Sequence, residues 1–87
     1  MAMTIYKYPL TVEDVQKVKL PTRHRLLKVH AQNDVPTLWA LVDPEFPDTE
    51  IEIRIIGTGW ELPREVADWD YLGTVHTPPF VWHIFKV

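Results

Sequence analysis

Residues Thr49 to Ile56 read Thr-Glu-Ile-Glu-Ile-Arg-Ile-Ile, and this stretch decides the fold class. Ile51, Ile53 and Ile55 alternate with Glu50, Glu52 and Arg54, a period of two. A strand turns successive side chains to opposite faces, so one face here is apolar and the other charged, as in a half-buried antiparallel strand. His24 to Gln32 repeats the pattern, with Leu27, Val29 and Ala31 expected inward and Lys28, His30 and Gln32 outward. Thr37 to Val42 is apolar on both faces, which predicts a central strand or one covered by a partner subunit.

Ile5 to Leu10 and Val15 to Leu20 are shorter strand candidates around Thr11-Val12-Glu13-Asp14, which could instead open a helical turn capped by Thr11. Asp70 to Thr77 and Phe80 to Val87 are joined by Pro78-Pro79, where missing N–H groups cost nothing in a hairpin turn. Pro9, Pro21, Pro36, Pro44, Pro47 and Pro63 mark strand ends and loops. Only Pro63 to Asp68 looks helical, with proline in its first turn. The chain is therefore expected to be mainly β: a small antiparallel β-sandwich or partly open barrel of about seven strands.

Composition narrows the function. The chain has 87 residues, suited to a single domain spanning 1–87, and it contains no cysteine. Disulfides, thiolate nucleophiles and cysteine-ligated metals are thereby excluded. Serine is absent as well, which leaves few nucleophiles for covalent catalysis. Asp68 and Asp70 could serve acid–base work but have no matched partner in the sequence, so a non-enzymatic protein is expected. The richest apolar stretch, Leu38 to Val42, falls far short of the about 20 residues of a membrane span. No basic, apolar leader follows Met1, so a cytoplasmic protein is expected.

Ten aromatic residues, each able to bury about 150 to 250 Å², exceed what so small a core can hide. Some are expected at an interface or pocket, and a homo-oligomer is expected. Trp39 and Trp82 sit on strands and read as core. Trp60 and Trp69 sit in loop-like stretches, where they either cap an open barrel end or anchor a ligand.

The net charge of −3 hides an asymmetry: residues 1–30 carry six basic residues against two acids, and residues 31–70 carry two against ten. Either a basic surface attracts phosphates, or basic and acidic strands neutralise each other side by side. Arg23, Arg25, Lys28 and Arg54 are the phosphate partners under the first reading. Extended duplex nucleic acid is not expected from a pI near 5.7 and a sequence with no recognition helix.

Gly57-Thr58-Gly59 follows the decisive strand. The segment that comes next, Trp60-Glu61-Leu62-Pro63, lacks the Lys-Ser/Thr of a phosphate loop and the third glycine of a dinucleotide site. It reads as a turn with positive φ, or as backbone that a ligand approaches closely. The candidate ligand-binding residues are Arg54, Gly57, Thr58, Gly59, Trp60 and Trp69. Histidines 24, 30, 76 and 83 lack the third ligand and supporting shell of a metal site, so neither metal nor cofactor is expected.

Leu38-Trp39-Ala40-Leu41-Val42-Asp43-Pro44, Ile53-Arg54-Ile55-Ile56-Gly57-Thr58-Gly59, Tyr71-Leu72-Gly73-Thr74-Val75 and Val81-Trp82-His83-Ile84-Phe85 occur in that order. With Ile5 to Leu10, they resemble a family of small bacteriophage-encoded proteins classed as a domain of unknown function. The resemblance implies a phage origin and expression in a bacterial host, and it brings no catalytic residues. Small phage accessory proteins of this kind often act against host defence. The leading expectation is an oligomeric binding protein that sequesters a small nucleotide-type signal. The alternative is a protein–protein inhibitor or assembly module that uses its acidic and aromatic surface, and a virion component is a third reading.

Overall fold

The computed structural model describes residues 2–87. Seven strands follow one another: β1 (Thr4–Pro9), β2 (Val15–Pro21), β3 (His24–Gln32), β4 (Val35–Val42), β5 (Asp48–Gly57), β6 (Asp70–Thr77) and β7 (Phe80–Lys86). One 3-10 turn, Arg64–Asp68, interrupts the connection between β5 and β6. Every paired neighbour is antiparallel, in a three-stranded sheet β1-β4-β3 and a four-stranded sheet β2-β5-β7-β6. Residues 11–14 form a bend rather than a helical turn. Gln16 explains this: its side-chain oxygen accepts from Thr11 N, and its amide donates to the carbonyls of Thr11 and Glu13.

The two sheets bury their apolar faces against each other. Leu38, Ala40 and Val42 from β4 meet a layer built from Ile51, Ile53 and Ile55 of β5, Val75 of β6 and Ile84 of β7. Each leucine, isoleucine and valine of this layer contributes about 1.5 to 3 kcal/mol on burial. The alternation in Thr49–Ile56 is thus realised as an inward isoleucine face, and β4 is the central strand of its sheet.

Two strands depart from the expected phase. In β3 the register to β4 shifts between Leu26 and Lys28, leaving Leu27 as the extra residue of a bulge. Leu27 is consequently 41% exposed, and Leu26 packs against the core in the inward position expected of Leu27. In β6 a matching shift leaves Leu72 extra, between Tyr71 and Gly73. The two bulges lie together: Leu26, Leu27, Leu72 and Tyr71 line one small cavity of about 200 Å³. This is where the sheets come closest, with β3 along β6. A Cβ on Gly73 would stand 2.7 Å from Val29 Cγ2, so the approach requires glycine.

Turn chemistry closes the remaining connections. Asn33 and Asp34 both adopt positive φ in the two-residue loop between β3 and β4, a backbone these side chains tolerate. Pro36 stands second in β4, and its carbonyl accepts from Leu10 N just beyond the end of β1. The ladder between β1 and β4 ends there, where proline has no N–H to return.

The path from β5 to β6 matters most for the site. β5 and β6 each pair antiparallel with β7, so they run parallel to each other. Residues 58–69 must therefore travel back along the length of the sheet and across β7. The inner face is occupied by the core, so this crossover runs over the outer face, consistent with an outward Ile56 that is buried.

Candidate functional site

The β5 end of the sandwich holds an open groove. Its walls are Gly57, Thr58 and Trp60 from the turn after β5 and Pro79, Phe80, Val81 and Trp82 from the β6–β7 hairpin, enclosing about 460 Å³. The register places Gly57 opposite Trp82, so the turn and the hairpin tip face each other across one rung of the ladder. The turn is closed by Trp60 N donating to Gly57 O, and Gly59 takes a φ of 86° within it. This folds the indole of Trp60 back over Gly57, where an added Cβ would come within 2.6 Å of the ring.

Three aromatic rings shape the groove. Trp82 is its floor, 8% exposed, with its Nε1 donating to Thr77 Oγ1 at 2.9 Å. Trp60 meets it edge to face at 6.0 Å between centroids, and Phe80 stacks on it at 5.5 Å. Trp60 and Phe80 themselves are 51% and 57% exposed. None of the lining residues carries a charge. The chemistry on offer is an aromatic cleft with the Thr58 hydroxyl at its rim.

Arg54 and Trp69 lie elsewhere. Both belong to the outer face of the four-stranded sheet, where the Arg54 guanidinium sits 4.6 Å over the Trp69 ring. Arg54 also donates through Nε to Asp14 O and stands 3.7 Å from a Glu52 carboxylate oxygen. Its hydrogen-bonding capacity is directed to this cluster, away from the groove. Trp69 in turn packs edge to face on Phe85, beside Tyr71. The structure thus brings Gly57, Thr58 and Trp60 together, keeps Gly59 in their turn, and separates Arg54 with Trp69.

His83, weighed from the sequence only as a metal ligand, links the two regions. Its Nε2 lies 2.7 Å from Thr58 Oγ1 and its Nδ1 lies 3.0 Å from Thr74 Oγ1, which pairs further with the Tyr71 hydroxyl. The imidazole is held by two hydroxyls and braces the crossover onto β7. Phe80 was missed: read as the first residue of a strand, it carries no signal of exposure until the hairpin presents it beside Trp82. Trp39 departs from its expected core position. Its neighbours Leu38 and Ala40 point inward, so Trp39 stands half-buried on the outer face of the three-stranded sheet, with Lys7 Nζ 6.0 Å from its ring centroid.

Fold and site together define a small two-sheet antiparallel β protein with an uncharged aromatic cleft at one end. The chain belongs to the family described as a domain of unknown function, DUF7352, which it matches over residues 1–87. No curated protein and no solved structure matches it significantly. Among the described residues, no helix is long and apolar enough to cross a membrane.

Proposed function

We propose that this protein is a non-enzymatic protein-binding module whose aromatic groove takes an apolar or aromatic side chain from its partner. The observation that carries the reading is the exposure of Trp60 and Phe80 around the Trp82 floor, within a groove whose lining is uncharged. Exposed aromatic side chains clustered around a pocket are the usual anchors of protein interfaces. The nucleotide-sequestering reading is weaker at this groove: a phosphate would find no cation among the lining residues, and Arg54 is engaged elsewhere. Glu61, directly beside Trp60, is exposed, so the fitting partner flanks its anchor with a basic residue. With the resemblance to phage-encoded proteins, we extend this reading to an oligomeric accessory protein that acts against a host defence component in the host cytoplasm.

The test compares two probes by two-dimensional NMR of the uniformly labelled protein. The amidated tripeptide Lys-Trp-Lys is expected to shift the indole N–H resonances of Trp60 and Trp82 and to lose this effect in Trp60→Ala. Adenosine monophosphate is expected to act more weakly on the same resonances. Tighter binding of the nucleotide at this groove, or no response to the peptide at millimolar concentration, would overturn the assignment.

A further inference from the structure

The outer face of the three-stranded sheet carries a second arrangement, independent of the groove. Antiparallel register sets its outward side chains in rows across β3, β4 and β1: Arg25, Leu41 and Ile5 in one, Lys28, Trp39 and Lys7 in the next. Trp39 is therefore flanked on both sides by lysines on strands about 5 Å away. No aspartate or glutamate occurs on any of these three strands. Asp43, just beyond β4, is buried and its Oδ1 accepts from Glu45 N.

The other lysine-bearing strand behaves differently. Lys17 and Lys19 of β2 stand opposite Glu52 and Glu50 of β5, with a Lys17–Glu52 contact of 3.1 Å. Basic charge is thus neutralised in the four-stranded sheet and left uncompensated on the three-stranded one, although the protein as a whole is acidic. An indole on a flat sheet face, bordered by cations with no acids between them, combines what an unpaired nucleic acid strand needs: a stacking surface for a base and donors for its phosphates. An acidic peptide would use the cations but leave the indole idle.

We propose that the outer face of β1-β4-β3 binds single-stranded nucleic acid, stacking a base on Trp39 and holding the backbone with Lys7, Arg25 and Lys28. Lys7 already lies over the Trp39 ring and donates to Gln32 Oε1 at 2.7 Å; a base takes over the ring face, and Lys7 moves to a phosphate. Duplex DNA is not accommodated by the same contact, because its bases present no free face to stack.

Fluorescence anisotropy with a labelled 12-nucleotide oligothymidylate at 50 mM salt tests this. Saturable binding is expected, with a slope of log affinity against log salt of about −2 for three single-strand phosphate contacts. Lys28→Gln and Arg25→Gln are each expected to weaken binding about fivefold to tenfold. Lys19→Gln removes the same charge from the neutralised strand and is expected to leave binding unchanged. Trp39→Leu is expected to cost about tenfold or more, whereas Trp39→Phe retains most of the affinity and serves if the leucine variant fails to fold. Trp60→Ala leaves this binding intact, which separates the two sites. The proposal is overturned by an absence of saturable binding, by equal losses in Lys19→Gln and Lys28→Gln, by equal affinity for a duplex of the same length, or by a loss of about tenfold or more in Trp39→Phe.

Discussion

Gly73 shows how one residue can set the distance between two layers. Its φ of 152° lies in the region that favours glycine, and an added Cβ would meet Val29 Cγ2 at 2.7 Å. Gly73→Ala is expected to destabilise the protein by about 2 kcal/mol or more, as overpacking adds to backbone cost. Combining it with Val29→Ala should cost less than the sum of the single changes, a coupling that urea denaturation of all four proteins measures. Tyr8 carries a pH signature. Burial raises its phenol above the ordinary value of 10.0, and Asp48 and then Tyr6 add to the shift. The neutral phenol is favoured in the folded state, so its contribution to stability is fully present below about pH 10. That contribution is lost as pH rises through the raised folded value. Tyr8→Phe is expected to flatten the alkaline arm of the stability–pH curve and to leave stability near pH 7 little changed.

Among the elements, β3 is the informative one. Its alternation breaks at Leu26-Leu27, two identical apolar residues between which the sequence does not choose. The bulge gives Leu26 the inward position and Leu27 an exposed one. Leu27→Ala should therefore cost about 0.5 kcal/mol or less, while Val29→Ala, at a buried core site on the same strand, should cost about 1 to 3 kcal/mol. Equal effects in thermal or urea unfolding would refute the bulge. β5 was legible throughout because its isoleucine period meets no competing signal. The hairpin of β6 and β7 was legible because two prolines leave no alternative to a turn. Trp39 was not legible: β4 is apolar at every position from Leu38 to Val42, so alternation there cannot say which face turns inward until β3 and β1 supply their registers.

On the scale of the whole molecule, the three-stranded sheet ends in an edge strand. Among the described residues β1 pairs only with β4, and its other edge is unpaired. Ile5 is 57% exposed there, and Tyr6 beside it is exposed as well. Unpaired edges with apolar side chains recruit further strands, which agrees with the oligomer expected for so small a chain. Light scattering is expected to give the mass of a dimer or larger, and Ile5→Lys to reduce it towards the mass of one chain. A monomeric wild-type protein at high micromolar concentration would remove this reading and leave the groove unaffected.

The same scale explains why the six candidate residues separated. Arg54 and Gly57 are three positions apart on one strand, so they project to opposite faces: Arg54 to the outer cluster, Gly57 to the groove. Period two alone implied that separation. The crossover, however, carries Trp69 back across β7 to Arg54 and leaves Trp60 at the far end, a consequence of strand order that no local pattern encodes. Strand class and the positions of the turns were legible in the residues, because they follow from alternation and proline geometry; that the basic strand beside β5 is β2 was not. Which tryptophans meet, which lysines remain uncompensated and which leucine is buried emerged with the folded packing. Those outcomes depend on registers between strands distant in the chain, and register is set by the packing of the whole.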